Sequence, residues 1–300
     1  MITKDAERTV PVTFAPAAEE PPQRPGTVRR AWDEVPRWQI YLPLGIYLVF
    51  TLVPFYWILL FALRRPGSTS LVPWPITFEH FEKVWNERSF GTYFQNSVLV
   101  GVVTLLMTTL VALAGGYALA RFDFKIKRGF MLALLCSQFV PGALLLVPLF
   151  QIFAELRMIN SLGSVILAET VFQLPLSIIL ISNFIKNVPY SLEEAAWVDG
   201  CNRFTAFRVV VLPLLRPGLI AVGSFAFVHS WNHFLFALMF LSNQEKQTIP
   251  VGLNTLLSAD SVDLGALAAG GIIAAVPVVI VFAFIQKWLI TGFSAGAVKG

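Results

Sequence analysis

Charge is scarce in this 300-residue chain. Asp, Glu, Lys and Arg together make up 13% of it, about half the share of an ordinary soluble domain (~25%). That deficit excludes a soluble globular enzyme as the bulk of the molecule. Cysteine is nearly absent as well. Cys136 and Cys201 are the only two; one falls in an apolar stretch and the other in a polar loop, so neither a structural disulfide nor a cysteine metal site is expected. No G-x-x-x-x-G-K-[ST] loop occurs, which leaves the chain without a means of cradling nucleotide phosphates. No nucleophile–base pair or pair of carboxylates is placed for catalysis, so an intramembrane enzyme is disfavoured. His229 and His233 have the four-residue spacing that zinc sites use, but the sequence sets no carboxylate or cysteine beside them. No metal is expected. Residues 1–39 lack the apolar core of a signal peptide. Their six prolines and mixed charges read as a disordered tail.

What is abundant is apolar surface. Hydrophobic residues make up 56% of the chain, with 26 Phe and 8 Trp, and the mean hydropathy is +0.69. Six stretches, near 40–63, 94–119, 129–153, 163–185, 217–241 and 265–289, are long enough to cross a bilayer, which takes about 20 residues. The expected fold is therefore all-α: a polytopic membrane protein of six transmembrane helices over 40–300, preceded by the tail. Sixteen of the 22 Lys and Arg residues fall in the segments that share a side with the tail. The positive-inside rule places those segments and both termini in the cytoplasm. The net charge of +4 is thus a topology signal, and nucleic acid is not needed to explain it. On the outer side, Thr77 can cap a helix carrying Phe78, Phe81, Val84 and Trp85 on one face. A polar loop over 242–264 is long enough to meet an external partner or to be a plain connector.

One polar segment between two spans carries more information than any other. Residues 191–213 read SLEEAAWVDGCNRFTAFRVVVLP. Ser191 and Glu194 have the spacing of a capping box after Pro189. Ala195 and Ala196 favour a helix and let another surface approach closely. Gly200 falls where that helix needs a left-handed residue to stop. Asn202 or Thr205 can cap a second helix, and Pro213 bends the chain as it enters the next span. A short helix, a sharp turn and a span together form a lever.

Glu194-Ala195-Ala196, three residues, Gly200, nine residues, then Val210-Val211-Leu212-Pro213 resembles the cytoplasmic EAA loop of ATP-binding-cassette (ABC) importer permeases, with Val210 where that family usually has Ile. Gly116-Tyr117-Ala118-Leu119-Ala120-Arg121-Phe122, the terminal QKWLITGFSAGAVKG, and Trp231-Asn232 followed by Phe234 are similar to the carbohydrate, maltose-type subfamily. An acidic residue often follows that Asn in the subfamily; here it is His233. The resemblance covers roughly residues 38–300. It implies an inner-membrane, multi-pass sugar permease that is not itself an enzyme. Its partners would be a second homologous permease, two cytoplasmic ATPase subunits that bind ATP and Mg, an extracytoplasmic solute-binding protein, and membrane lipid. The implied coupling residues are Glu194, Ala195, Ala196, Gly200 and Pro213, with Glu194 meeting a basic residue of the ATPase.

The pathway is read from polar residues inside spans, which are costly in lipid and face protein or a cavity. Gln138, Gln173, Trp231 and Asn232 supply the amides and aromatic face that sugars favour; interhelical hydrogen bonding is the alternative use of such amides. Glu169 is placed near the outer end of its span, snorkelling to the headgroups. His229 and His233 are expected to face protein. A transporter driven alone by an ion gradient is the competing class, and it would need intramembrane acids and an internal helix repeat.

Overall fold

The computed structural model describes residues 36–257 and 262–297, with the side chains of Arg37 and of residues 287–297 outside the description. The tail expected over 1–39 lies almost wholly outside the described residues. Among the described residues every regular element is a helix. Four helices are long and apolar enough to cross a membrane, or up to six if two bent pairs each count as one span.

Contacts divide the chain between Val53 and Pro54. The described part of the first unit is the leading portion of α1 (Arg37–Leu63), in which the described side chains are exposed around the whole helix. In the second unit the chain leaves α1, forms the short α2 (Glu79–Glu82), and enters α3 (Phe90–Arg121). Then come α4 (Lys127–Ser137) and α5 (Leu146–Glu155), α6 (Leu162–Lys186), and the short α7 (Ser191–Val198), α8 (Arg203–Ala206) and α9 (Leu212–Leu214). The long α10 (Arg216–Asn232) is followed by α11 (Leu235–Phe240), α12 (Ile249–Leu257) and α13 (Leu264–Ala297).

Helix α3 is the spine of this unit. Its buried positions Ser97, Gly101, Thr104, Thr108, Ala112 and Gly116 recur every three or four residues, which lines small side chains along one stripe. Small residues matter here because helices in lipid gain little from the hydrophobic effect and associate by close packing. A Cβ on Gly101 would lie 2.8 Å from the Phe227 ring, and one on Gly116 would lie 2.7 Å from Ile181. Val100 shares a buried cluster with Val165 and Ile166, while Ala112 and Leu119 share another with Ile178 and Ile185. Helices α3 and α6 therefore run in the same direction. Helix α10 packs on both in the opposite sense to α3, with Phe227 at Gly101 and Gly223 at Thr109.

Two spans read as continuous are broken. The third turns by 92° between α4 and the segment starting at Gly142. Pro141 follows Val140 there; it lacks an N–H and forces its predecessor out of the helical region. The fifth stops at Asn232, His233 is extended (ψ 121°), and α11 resumes at Leu235. A further bend of 73° separates Arg203–Leu214 from α10, between Pro213 and Pro217, which is the place expected from Pro213. The connector after α11 is held down rather than loose. Asn96 donates to the Glu245 and Gln247 carbonyls at 2.8 and 2.9 Å, and α12 buries Ile249, Val251 and Leu256.

Candidate functional site

The lever forms where α3 ends. Helix α7 is closed by a paired turn in which Cys201 N–H donates to Ala196 O and Gly200 N–H to Trp197 O, with Gly200 at φ 88°. That is the glycine stop read from the sequence. Asn202 then caps α8, accepting from Thr205 N–H at 2.8 Å. The capping box does not form. Tyr190 is the N-cap with helical φ and ψ, and Ser191 already lies in the first turn, where its hydroxyl is not aimed at the free N–H groups.

The acid that matters for attachment is Glu193, next to the one singled out by the motif. Its side chain is 1% exposed and Arg121 Nε donates to it at 2.6 Å. Tyr117 O–H donates to its other oxygen at 2.8 Å. The same guanidinium donates to Val188 O at 2.9 Å and lies over the Tyr190 ring. Charge-assisted bonds of this kind are stronger than neutral ones, and here they fasten α7 to the end of α3. Sequence reading missed Glu193, although Arg121 at the end of a span next to an acidic loop was the available signal. Glu194 and Ala195 point the other way and are exposed, while Ala196 is buried. Pro213 is half-buried at the start of the bend. Around Glu194 the surface is apolar: Leu192 and Tyr190 are exposed, Val198 is 88% exposed and Phe204 72%. Phe204, Phe207 and Arg203 wall a cleft of about 370 Å³ against Leu110, Leu113 and Tyr117. Outside the spans here, a hydrogen bond from Lys127 holds the Asp123 carboxyl below its ordinary 3.8.

A second junction lies at the opposite end of α3. Asp263 accepts from Lys83 Nζ at 2.8 Å and from Ala266 N–H at 3.0 Å, capping α13. Burial pushes its carboxyl up, but the Lys83 and Ala266 hydrogen bonds and the Lys83 charge outweigh it, and the pKa falls below 3.8. Thr77 accepts from Glu79 N–H at 3.3 Å but is one residue too early to be the expected cap, because the N-cap is Phe78, with no side-chain cap bond. The helix is only four residues long and continues as a wider turn, with Val84 buried and Phe78 exposed.

Between these ends lies a polar layer. Thr104 and Thr108 of α3, and Glu169 and Gln173 of α6, are all buried with side-chain atoms that lack a hydrogen-bond partner. Glu169 does not snorkel; its side chain is 0% exposed. Each of its oxygens meets one imidazole: Oε2 lies 3.3 Å from His229 Nδ1 and Oε1 lies 2.7 Å from His233 Nδ1. So a carboxylate does stand beside the histidine pair, contrary to the sequence reading, and it comes from another span. The rings are roughly parallel with centroids 5.4 Å apart, and they face protein on their Nδ1 side as expected. No group of three or more acidic, His or Cys residues is arranged to hold a metal among the described residues.

Of the residues read as pathway-lining, Asn232 is exposed beside the pair and its amide donates to Val228 O. Trp231 is buried, with its indole N–H donating to Ala274 O at 3.0 Å and its ring between Phe94 and Phe227. Trp231 and Asn232 line a cavity of about 370 Å³ with Phe234, Pro250 and Asn254. Gln173 is buried in the polar layer, and Gln138 is exposed at the break after α4. Trp231 and Asn232 thus share a cavity whose lining includes neither Gln138 nor Gln173.

Residues 112–294 match the family model described as "Binding-protein-dependent transport system inner membrane component". The chain is 36% identical to the diacetylchitobiose uptake system permease of Streptomyces coelicolor, over 90% of its own length and 98% of the relative's. It is 31% identical to the melibiose/raffinose/stachyose import permease of Bacillus subtilis, over 83% and 91%. Among solved structures, a bacterial ABC transporter involved in the import of the acidic polysaccharide alginate shares the fold: TM-score 0.71, 21% identity, 84% of this chain and 98% of that one.

Proposed function

The chain belongs to the binding-protein-dependent transport system inner membrane components, the permeases of ABC importers, and from that premise we propose that it forms half of the translocation pathway for a carbohydrate. It is a multi-pass membrane subunit, and ATP hydrolysis in this family resides on other polypeptides. The relatives named for diacetylchitobiose, arabinooligosaccharides, trehalose and raffinose support an oligosaccharide or related sugar as the substrate class. A second homologous permease completes the pathway. Two cytoplasmic ATPases, carrying ATP and Mg, dock on α7, and an extracytoplasmic binding protein delivers the sugar. One observation carries the coupling: α7 is fastened to α3 on its Glu193 side and bare on its Glu194–Ala195 side. A force applied to the bare side reaches α3 through short buried bonds and reaches α10 through the turn at Gly200 and the bend at Pro213. The pathway strip is assigned to α10, where Asn232 and Phe225 are exposed, with Trp231 lining the cavity beside it, Gln173 in the layer behind and Gln138 at the break in the third span. A polar face left uncovered in lipid is expensive, so this one is covered by a partner or by water.

The basic bias places α7 and both termini in the cytoplasm. A cysteine introduced at Ser191 is therefore reached by a membrane-impermeant maleimide in inverted vesicles and not in intact cells; labelling in intact cells reverses the topology. The assembled complex has a low basal ATPase activity that the sugar-loaded binding protein raises. ATPase activity indifferent to the loaded binding protein removes this reading.

A further inference from the structure

We propose that the pocket at the second junction, where α1 ends beside the start of α13, holds the phosphate of an anionic phospholipid, with the acyl chains lying on the exposed apolar loop next to it. Such a site is separate from the sugar pathway and does not depend on it.

Bonds within the chain shape this pocket. Its volume is about 450 Å³, within the range of small-ligand sites. His80 forms its floor. The imidazole is buried, its Nε2 lies 3.1 Å from Arg64 O, and it packs so closely on α13 that a Cβ on Gly265 would lie 2.2 Å from it. The chain leaving α1 is folded back by Thr77 N–H, which donates to Leu63 O at 2.9 Å. It turns at Pro66 and Gly67, with Gly67 at φ 76° and Ser68 N–H donating to Arg65 O at 3.1 Å. Proline and glycine are the residues that suit the two corners of such a turn. Tyr56 O–H donates to Leu71 O and ties the returning loop to α1.

Charge selects the ligand. Arg64, Arg65 and Lys83 line the pocket together with Glu79 and Asp263, three positive charges against two negative. Lys83 is occupied by Asp263 at 2.8 Å. Among the described residues neither Arg64 nor Arg65 is in an ion pair, and neither guanidinium donates a hydrogen bond. Arg64 stacks over the Phe61 ring at 4.8 Å, which orients its plane and leaves its N–H edge open. Two uncommitted guanidinium forks lining one pocket suit a phosphate, which arginine binds bidentately.

The neighbouring surface selects a lipid over a soluble phosphate. Leu71, Val72, Trp74, Ile76 and Phe78, in the loop between the two arginines and Glu79, are all more than half exposed. They follow directly on a membrane-spanning helix, at the level where aromatic side chains meet headgroups. A cationic pocket beside an apolar shelf matches an amphiphile, phosphate in the one and chains on the other.

The test uses the assembled complex, with partner permease and ATPases, in a neutral detergent. Binding of palmitoyl-oleoyl phosphatidylglycerol is titrated by native mass spectrometry for wild type, Arg64→Gln, Arg65→Gln, the double variant, and Arg88→Gln, which alters an exposed arginine outside the pocket. The Kd rises roughly fivefold for each pocket arginine lost. Arg65→Lys keeps most of the affinity, and Arg88→Gln binds as wild type does. Phosphatidylcholine with the same chains binds wild type and double variant alike, and glycerol phosphate does not displace the anionic lipid. Hydrogen exchange at the start of α13 stays at the wild-type level; if Arg64→Gln raises it, Arg65→Gln, which removes a side chain without bonds, decides alone. Equal phosphatidylglycerol binding by wild type and double variant, an equal loss in Arg88→Gln, or displacement by glycerol phosphate overturns the proposal. The first of these, together with weaker stimulation by the sugar-loaded binding protein in the double variant, assigns the arginines to that protein instead.

Discussion

Arg121 and Glu193 show how a single charge pair can decide whether an element transmits force. Both are buried, at 8% and 1% exposure of their side chains, so removing either strands the other in a place that cannot hydrate it. Losing one partner of such a pair costs ~3–5 kcal/mol. Arg121→Ala and Glu193→Ala are therefore expected to loosen α7, seen as faster hydrogen exchange across Ser191–Val198, and to lower ATPase stimulation by the loaded binding protein. Glu194→Gln keeps the anchor and slows only if its charge meets the ATPase. Exchange in α7 unchanged in both alanine variants contradicts the anchoring role. The motif made Glu194 legible in the sequence, but not Glu193. On a helix each residue turns by about 100°, so only the docking of α7 on α3 reveals which acid faces inward. Glu169 was hidden for a related reason. Its partners lie in a different span, and sequence spacing cannot register a contact between residues so far apart along the chain. The signal that existed was compositional: one acid and two histidines, each expensive in lipid, in neighbouring spans.

At the scale of elements, the lever depends on where helices stop. Gly200 ends α7 at φ 88°, and no atom lies within 4 Å of the place where a Cβ would stand. Space is therefore available, and any cost of a side chain is backbone strain alone. A β-branched residue in the left-handed region pays roughly 1–2 kcal/mol, whereas Asn tolerates it. Gly200→Val is expected to weaken the turn, read as faster exchange of the Cys201 N–H and lower coupling, while Gly200→Asn stays close to wild type. Equal behaviour of the two variants contradicts a backbone role. This stop, the Asn202 cap and the Pro213 bend were all legible, because each follows from one residue's own geometry. The breaks at Pro141 and His233 were not. A hydropathy window averages over them, and the extended conformation of His233 is maintained by contacts with Glu169 and Phe236 that a linear reading does not contain. The starting point of α7 was misread by one residue, which turned Ser191 from a cap into a first-turn residue.

For the whole molecule, three layers are stacked along α3: a charged anchor at Arg121, a polar layer at Glu169, and a second junction at Asp263. The sequence carries no G-x-x-x-x-G-K-[ST] loop, and in the proposed function movement enters through the anchor and leaves through the α10 strip. An ion-gradient transporter would instead work alone and use Glu169 as its coupling acid. Proteoliposomes separate these directly. The chain is reconstituted with its partner permease and ATPases, ATP is confined to the side bearing α7, and the sugar-loaded binding protein is added on the other. The account predicts accumulation of radiolabelled sugar that requires ATP on the α7 side, requires the binding protein, and is lost in Arg121→Ala. Accumulation by this chain alone under a proton or sodium gradient, without ATP, would contradict it.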